Sequence, residues 1–372
     1  MNILITGGAG FIGSFIVDHL IKEGHRVRIF DNLDPQVHPG GREPDHLNRR
    51  AEFVRGDVRD YDSLMKAVEG MEVISHHAAA VGIGQGQYQV KHYVDVNIGG
   101  TANLLDILAN HRHGVKKLIV AASMSSYGEG LYDCASCGRV RPPLRSEEQF
   151  KKGDWECHCP RCGGELRPLP IREGDERLAT SIYAITKMVQ EDMCLNIGRT
   201  YAIPTVALRY FNVYGPRQSL SNPYTGVAAI FMSRIKNDKP PVIFEDGLQS
   251  RDFISVYDIV EANMRAMTTP QADYQSFNVG SGKATTVLEI AETITSLCGK
   301  RINPQITMKF RKGDVRHCIA DTSKIARELK FKARVDFRDG MKELIGWSEG
   351  ATAVDMVDKA TAELKARGIV GA

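Results

Sequence analysis

A tyrosine and a lysine lie four residues apart, at Tyr183 and Lys187, in a stretch with a helical pattern. Side chains at this spacing share one face of a helix. A free phenol titrates near pH ~10, and a neighbouring ammonium favours the phenolate. The pair could therefore act as a general base near neutral pH. Taken alone, the same spacing is more typical of an ordinary structural helix.

Hydroxyl side chains cluster earlier in the chain, at Ser123, Ser125 and Ser126, directly before Tyr127-Gly128. They follow an unbroken apolar run, which is typical of a strand buried in a parallel sheet. A hydroxyl at the end of such a strand could hold a substrate hydroxyl against a base. The sequence therefore predicts that Ser123 and Ser125 act together with the tyrosine and the lysine.

A glycine-rich run follows the first apolar stretch and precedes an amphipathic one. Gly7 permits a tight turn, Gly10 lets a pyrophosphate approach the backbone, and Gly13 lets a helix pack on the strand. The free amides of the helix N-terminus, around Phe11 and Ile12, attract phosphate. We therefore expect a dinucleotide site here. A glycine turn without a ligand is the less favoured alternative.

Later strand ends carry residues suited to the rest of a dinucleotide. Asp31 ends the second predicted strand, where a carboxylate hydrogen-bonds a ribose diol and repels a 2′-phosphate. This favours NAD over NADP as the cofactor. The other candidate cofactor contacts at strand ends are Asn32, Asp57, Val58, Ala78 and Ala79.

Two Cys-x-x-Cys pairs, each followed by glycine, are separated by 21 residues. Four thiolates suit tetrahedral zinc, and a closed four-sulfur site leaves no open position for catalysis. The pattern predicts a structural zinc, and free cysteines without metal are the alternative. The expected ligands are Cys134, Cys137, Cys159 and Cys162, although Cys157 or His158 could replace one of them.

Apolar runs alternate with amphipathic stretches through the first half of the chain. This alternation predicts βαβ units and an α/β fold with a doubly wound parallel sheet of the Rossmann type. The expected strands are Asn2–Thr6, Arg26–Phe30, Glu52–Val54, Val73–His76, Lys117–Ala121 and Thr205–Arg209.

The same pattern suggests how the chain is divided. Residues 1–212 are the expected NAD-binding Rossmann domain, and residues 213–372 a smaller α/β substrate-binding lobe. Periodicity is lost over residues 131–170, where the cysteine pairs lie, so we expect a zinc-ribbon insertion there. Residues 351–367 have the pattern of an exposed amphipathic helix.

Composition limits the class of protein. The 372 residues carry 48 basic and 45 acidic side chains, a net charge of +3, and no basic cluster, which argues against nucleic acid as a partner. No apolar run is long enough to span a membrane. Paired cysteines of the metal-binding type indicate a reducing, cytoplasmic location.

Several motifs follow the order found in one enzyme family. The chain resembles the extended short-chain dehydrogenase/reductases, in particular the NAD-dependent nucleotide-sugar epimerase/dehydratase family. The resemblance covers nearly the whole chain outside the cysteine-rich stretch. The motifs that carry it are Thr6–Gly13, Asp31-Asn32, Asp57-Val58, His77–Ala79, Asn97, Ser123–Gly128, Tyr183–Lys187 and Arg209–Pro216.

The resemblance implies specific roles and a homodimer. The implied catalytic residues are Tyr183, Lys187, Ser123 and Ser125. Asn97 would brace the lysine beside the cofactor, and Tyr210 would line the same site. The implied contacts with a nucleotide-sugar substrate are Asn212, Arg251, Arg311 and Asp314, with Arg316 as an additional one.

The resemblance also narrows the reaction. Dehydratases of the family carry Thr-Asp-Glu at the serine site, whereas this chain has Ser123-Met124-Ser125 and lacks those carboxylates. Asp31 disfavours an NADPH-dependent ketoreductase. Transient oxidation and re-reduction at C4 of the sugar remains, which is 4-epimerisation. The stretches Leu220–Phe231 and Pro240–Leu248 resemble dTDP-L-rhamnose 4-epimerases, which implies dTDP-L-rhamnose and dTDP-6-deoxy-L-talose as the substrate pair.

Other functions stay open at this point. A UDP-hexose or UDP-uronate 4-epimerase would use the same chemistry, and an NAD-linked nucleotide-sugar dehydrogenase or reductase would release NADH. Val81–Gln87, the expected sugar-facing stretch, carries no positive charge, which favours a neutral sugar over a uronate. A non-catalytic NAD-sensing scaffold is disfavoured because the serine, tyrosine and lysine are all present.

Overall fold

The apolar runs of the sequence form strands in the structure, a computed structural model that describes residues 1–371. The strands are β1 (Asn2–Thr6), β2 (Arg26–Asp31), β3 (Glu52–Arg55), β4 (Val73–His76), β5 (Lys117–Ser123), β6 (Leu131–Cys134), β7 (Gly138–Val140), β8 (Arg167–Leu169), β9 (Thr205–Tyr210), β10 (Asn212–Tyr214), β11 (Val242–Ile243), β12 (Ser250–Ser255), β13 (Gln275–Val279), β14 (Ala284–Thr286), β15 (Gln305–Ile306), β16 (Phe310–Arg311), β17 (His317–Cys318) and β18 (Val370–Gly371).

The amphipathic stretches form helices. They are α1 (Phe11–Lys22), α2 (Tyr61–Val68), α3 (Ile83–Gly86), α4 (Val90–Tyr93), α5 (Gly100–Asn110), α6 (Glu147–Lys151), α7 (Ile182–Thr200), α8 (Val227–Lys236), α9 (Val256–Thr268), α10 (Val287–Leu297), α11 (Ser323–Glu328), α12 (Phe337–Glu349) and α13 (Val357–Ala366). Within residues 1–371, no helix is long and apolar enough to cross a bilayer.

Seven strands form one parallel sheet in the order β13-β9-β5-β4-β1-β2-β3. The six strands predicted from the sequence are all present in it, with ends within two residues of the expected ones. The order reverses beside β1, which is the switch point at which α/β sheets bind ligands. The predicted doubly wound Rossmann sheet is therefore confirmed.

Alternating side chains of each strand feed two separate cores. Ile3 and Ile5 of β1 point into the core beneath α1 and α9, whereas Leu4 points into the core beneath α2, α5 and α7. All three are completely buried. Burial on both faces explains why these strands read as unbroken apolar runs rather than as alternating ones.

The C-terminal half builds a smaller lobe around β10, β12, β14 and β17, packed against α8, α10 and α12. The expected division at residue 212 stays a prediction. One strand from beyond that position, β13, completes the edge of the large sheet next to β9. The chain therefore crosses back from the smaller lobe to the Rossmann sheet.

Two details of the smaller lobe complete the fold. The turn Gly280–Lys283 leads from β13 into β14. The buried carboxylate of Asp252 holds this turn by accepting the amides of Ser281 at 2.7 Å and Gly282 at 2.8 Å. The helix expected over residues 351–367 is shorter, Val357–Ala366.

Residues 131–170 are called the cysteine insert below. They form a small antiparallel sheet in the order β7-β6-β8, and the short helix α6 lies between β7 and β8 in sequence. The insert leaves the Rossmann sheet shortly after β5 and rejoins it before α7. It therefore lies between two elements that carry predicted catalytic side chains, the serines and the tyrosine with its lysine.

Candidate active site

The glycine loop lies between β1 and α1, and it is closely packed. Gly7 has a φ of +70°, and a Cβ there would come within 2.8 Å of the Ala78 amide nitrogen. A Cβ on Gly13 would lie 2.3 Å from the Gly7 carbonyl oxygen. At the start of α1, next to Phe11, no side chain caps the helix. Its amides are therefore free for an anion, which fits the diphosphate of a dinucleotide.

Asp31 is fixed at the end of β2, next to this loop. One carboxylate oxygen accepts the Ala9 amide at 3.0 Å and the other accepts the Leu33 amide at 2.9 Å. The side chain is thus aligned before any ligand arrives, and its remaining lone pairs can accept from a ribose diol. This fits the predicted role in NAD recognition.

The next strand end, after β3, carries a second carboxylate. Asn32 donates to Asp57 at 2.9 Å, and Arg59 forms a two-pronged pair with the same carboxylate. The pair with Arg59 lowers the pKa of Asp57 to about 2. Val58 is buried against Gly100. This edge is therefore charged and ordered at neutral pH.

Small residues follow β4, as predicted. Thr6 accepts the amide of Ala78 at 3.2 Å, so the backbone at Ala78 and Ala79 is held against the glycine loop. The His77 ring stacks on Tyr210 with centroids 6.2 Å apart. Within residues 1–371 the buried Nδ1 of His77 has no hydrogen-bond partner. An unpaired buried nitrogen beside the loop is consistent with a missing ligand.

Tyr210 and Asn97 lie close to the loop but use their polar atoms within the protein. The Tyr210 hydroxyl is hydrogen-bonded to Asn263. The Asn97 amide bridges both backbone groups of Ala80 and donates to Thr186 at 2.9 Å. Asn97 therefore positions the chain that follows β4, and its side chain does not touch Lys187 directly.

The predicted catalytic residues meet where β5 ends and α7 begins. Tyr183 lies in the first turn of α7, which Ser181 caps by accepting the Ala184 amide at 3.2 Å. Ser123, the last residue of β5, accepts a hydrogen bond from the Ser125 hydroxyl at 2.9 Å. Burial raises the pKa of the Tyr183 phenol, and the neighbouring Ser123 hydroxyl opposes this rise. The serines and the tyrosine are thus brought together.

Lys187 lies one turn further along α7 and is buried. Burial lowers the pKa of its ammonium to about 8. The ammonium donates to the side-chain oxygen of Gln190, and Gln190 in turn donates to Thr101 at 2.8 Å. Below pH 8 the ammonium of Lys187 is therefore charged, with Gln190 as its hydrogen-bond acceptor.

Gln190 belongs to a chain of buried hydrogen bonds that sequence reasoning missed. Thr101 gives its only hydroxyl proton to the Asn97 carbonyl at 2.6 Å, so His76, 3.0 Å away, must donate to it through Nε2. The other ring nitrogen of His76 then accepts from Thr6 at 2.7 Å. Only Gln190 had a sequence signal, because it lies three residues after Lys187 on the same helix face.

Predicted substrate contacts from the smaller lobe lie near one another. Arg251 of β12 pairs with Asp314 at 3.1 Å, and Arg311 of β16 lies against the Phe244 ring at 4.4 Å. Within residues 1–371, the buried Nε of Arg311 and the buried Oδ1 of Asn212 have no hydrogen-bond partner. The unpaired donor of Arg311 fits an anionic acceptor such as a phosphate oxygen, whereas the unpaired acceptor of Asn212 fits a donor such as a hydroxyl group.

Arg316 differs from the expectation that it faces a substrate. Its guanidinium is completely buried and is bonded to Glu156, Glu245 and Asp246. A group surrounded by three carboxylates has no donor left for a diphosphate. The sequence could not distinguish Arg316 from Arg311, because an arginine buried among carboxylates and an arginine proposed to face the ligand lie only five residues apart.

The four paired cysteines converge in the cysteine insert. Their sulfurs all lie within 4.8 Å of one another, and those of Cys134 and Cys162 are 3.5 Å apart. Tetrahedral Zn–S bonds of about 2.3 Å place sulfurs roughly 3.8 Å apart, so the donor set fits zinc. Cys157 lies outside this group, beside Tyr132, and His158 pairs with Asp154 at 2.7 Å.

Known proteins resemble this chain over most of its length. It matches the NAD-dependent epimerase/dehydratase family over residues 3–146 and 164–280, a match that omits part of the cysteine insert. It is 35% identical to a dTDP-L-rhamnose 4-epimerase from Burkholderia thailandensis over 93% of this chain and 94% of that protein.

Solved structures give the same result. The UDP-glucose 4-epimerase of Thermotoga maritima, determined with UDP-glucose, superimposes with a TM-score of 0.78 at 30% identity, covering 94% of this chain and 99% of that one. A mutant UDP-glucuronic acid 4-epimerase from Bacillus cereus, holding NAD and a fluorinated UDP-sugar, has a TM-score of 0.76 at 26% identity, with 94% and 99% covered. The chain therefore belongs to the NAD-dependent epimerase/dehydratase family of enzymes.

Proposed function

We propose that this enzyme interconverts the two C4 epimers of a nucleotide sugar by transient oxidation at C4. One observation supports the proposal: Ser123 lies beside Tyr183, Lys187 lies one turn further along the same helix, and Ser125 and Ser126 rather than carboxylates follow β5. Hydroxyls suit proton transfer and orientation, whereas elimination of water needs an additional acid and base. The set therefore favours epimerisation over dehydration.

Each catalytic side chain has a distinct task in this proposal. Tyr183 removes the proton of the sugar 4-hydroxyl and returns it at the end. Lys187 keeps the phenolate accessible through its positive charge, and Ser123 orients the hydroxyl, supported by Ser125. NAD held at the glycine loop would supply the acceptor for the sugar hydride and the donor for its return. Because proton and hydride both return, the reaction needs no added reductant.

The residues proposed to hold NAD are those at the carboxyl edge of the sheet. The helix N-terminus at Phe11 and Ile12 would bind the diphosphate, and Asp31 the adenosine ribose. The remaining proposed cofactor contacts are Gly7, Gly10, Gly13, Asn32, Asp57, Val58, Ala78, Ala79, Asn97, Tyr183, Lys187 and Tyr210.

We propose dTDP-L-rhamnose and dTDP-6-deoxy-L-talose as the substrate pair. The named relative from Burkholderia thailandensis supports this choice. A second support is the stretch Val81–Gln87, which carries no positive charge, since the carboxylate of a uronate needs a cation or several hydrogen-bond donors. Lys91 or His92 could provide the cation, but Lys91 is 86% exposed and pairs with Asp95. UDP-glucose and UDP-glucuronate, named for the structural relatives, are the rival substrates.

The test is to incubate the purified enzyme, without added NAD, with each of these nucleotide sugars and to identify products by NMR. We expect the dTDP-L-rhamnose sample to form its C4 epimer fastest, with no lasting increase in NADH absorbance. Faster epimerisation of a UDP-sugar would reject the substrate and keep the epimerase. A stable keto sugar with stoichiometric NADH would reject both, and would identify a dehydrogenase.

We also propose that Cys134, Cys137, Cys159 and Cys162 bind one structural zinc. The support is the closeness of the four sulfurs and the presence of a glycine in the left-handed conformation after each pair, Gly138 with φ +68° and Gly163 with φ +72°. Such a closed site stabilises the fold around it, since the free energy of metal binding adds to that of folding.

Elemental analysis should find one zinc per chain. A Cys134→Ser variant should lose the metal, because a three-thiolate site binds zinc more weakly. The matched control is Cys298→Ser, a half-buried cysteine far from the cluster in sequence, which should keep one zinc per chain. Protein purified without added chelator that contains no zinc would contradict the assignment, as would equal zinc in both variants.

Two broader proposals accompany the function. Cysteine thiolates reserved for metal are consistent with a reducing, cytoplasmic location. A homodimer is proposed through the region of α4 and α7, where the apolar side chains of Val90, Val94 and Ile185 are exposed on the single chain.

A further inference from the structure

The cysteine insert is attached to one particular segment of the smaller lobe. That segment, Phe310–His317, carries the proposed substrate contacts Arg311 and Asp314 and is called the Arg311 segment below. It leaves β16 with a turn at Gly313, where φ is +78°, and re-enters the sheet at β17. The course of this segment is therefore set by what packs against it.

Aromatic side chains form the first attachment. Phe150 of the insert stacks on Phe310 with ring centroids 4.5 Å apart, and Trp155 stacks on Phe150 at 5.7 Å. All three are buried and form a cluster of their own. The insert thus covers the residue that immediately precedes Arg311.

A network of ion pairs, buried at Arg145, Glu245 and Arg316 and half-exposed at Glu156, forms the second attachment. Arg145 of the insert pairs with Glu245 at 2.8 and 3.0 Å and also donates to the Asp314 carbonyl at 3.2 Å. Arg316 bonds the same Glu245 at 3.0 Å and Asp246 at 2.7 and 2.9 Å. Glu156 of the insert reaches Arg316 at 3.0 and 2.5 Å. Two guanidinium groups therefore share three carboxylates around the Arg311 segment.

The backbone of the segment is held as well. Glu129, just before the insert, accepts the amide of Arg316 at 2.7 Å and that of His317 at 3.1 Å. Glu156 also faces the His317 ring at 3.3 Å, and contact with His317 and Arg316 lowers the pKa of Glu156 to about 2. Glu156 is consequently charged at any physiological pH and belongs to a network in which each charge is paired.

We propose that the cysteine insert positions the Arg311 segment and so sets the affinity for the nucleotide diphosphate part of the substrate. Glu156 is the insert carboxylate that contacts both Arg316 and His317, so removing its charge weakens the contacts between the insert and this segment. Arg311 and Asp314 would move with that segment, whereas Tyr183 and Lys187 belong to a separate helix. The inference rests on the proposed function, because it assumes that a nucleotide sugar binds there.

The test is Glu156→Gln, which keeps the size of the side chain and removes its charge. Binding of dTDP and of UDP to the NAD-loaded enzyme is measured by calorimetry, together with KM and kcat for the nucleotide sugar. We expect Kd and KM to rise about three- to tenfold, because a residue that does not touch the ligand modulates a ligand site by a modest amount and a half-exposed ion pair is screened by water. The kcat, the bound NAD and the zinc content should stay within twofold.

The matched control is Asp154→Asn, two residues earlier in the insert. Asp154 pairs only with the half-exposed His158 and does not contact the Arg311 segment. Its Kd and KM should equal those of the unchanged enzyme. Equal Kd and KM for Glu156→Gln would overturn the proposal, and so would a loss confined to kcat.

Withdrawal of zinc tests the same inference without a mutation. Chelation should raise the Kd for dTDP or UDP, and added zinc should restore it. Trp155 reports whether the insert itself has moved, since the chain has only one other tryptophan, Trp347, which Trp347→Phe removes. A changed Trp155 emission with an unchanged Kd would contradict the proposal. If the unchanged enzyme binds dTDP or UDP but epimerises no sugar, the proposed function fails and the positioning role stands.

Discussion

Replacing Tyr183 with phenylalanine should reduce turnover by about 100-fold or more, the usual cost of removing a general base. The aromatic ring, its edge-on contact with Tyr93 at 6.4 Å and the cap of α7 all remain, and only the proton carrier is lost. Bound NAD and thermal stability should therefore stay unchanged. Initial rates by NMR, with NAD released by denaturation and measured by absorbance, check both parts.

The control for this variant is Tyr93→Phe. Its ring packs against Tyr183, but its hydroxyl lies 3.3 Å from Gln85 and not in the proposed proton path. We expect its activity to remain within a few-fold of that of the unchanged enzyme. Activity of Tyr183→Phe in the same range would refute the assignment of the base.

Lys187→Met should show the second largest effect, and the effect should depend on pH. Burial already raises the pKa of Tyr183, and without the ammonium the phenolate forms only at still higher pH. Turnover at pH 7 should fall by about 100-fold and recover in part as the pH rises. Rates measured from pH 6 to pH 10 check this. A uniform loss at every pH would contradict the role given to the lysine.

The stability of this variant follows from the same pKa. Because the folded-state pKa of Lys187, about 8, lies below its unfolded value, the charged lysine costs stability below pH 8, and the cost fades as pH rises. Methionine removes that cost but leaves Gln190 short of a donor, so the melting temperature at pH 7 should change little.

Lys117→Met is the control. Lys117 lies at the end of β5 opposite to Ser123, and its loss breaks the pair with Asp273, which should lower stability without altering the pH profile.

The strands, the glycine loop and the cysteine pairs could be predicted from the sequence, because each depends on a local pattern of residues. Strands buried on both faces gave continuous apolar runs, and the glycines around Gly7 and Gly13 marked positions where a Cβ has no room. The four cysteines were predicted to meet, and their sulfurs do. These features depend on residues close together in sequence, or on side chains with few alternative uses.

Polar contacts between residues far apart in the chain could not be predicted from the sequence. Lys187 is joined to β1 through Gln190, Thr101 and His76. In this chain of hydrogen bonds, His76 and Thr101 are 25 positions apart, and Thr101 and Gln190 are 89 positions apart. Arg316 looked like a ligand contact because its neighbours Arg311 and Asp314 do. Its burial among three carboxylates from two separate stretches could be seen only once those stretches were folded together. Tertiary partners of charged residues carry no periodic signal.

Transient oxidation at C4 by Tyr183 and bound NAD is tested most directly with a nucleotide sugar carrying deuterium at C4. The enzyme receives no added cofactor, and the product is examined by NMR while NADH absorbance is followed. We expect the epimer to keep deuterium at C4 and no NADH to accumulate, because the hydride leaves C4 and returns to the same carbon. Exchange of the label with solvent, or NADH equal to the sugar consumed, would contradict it.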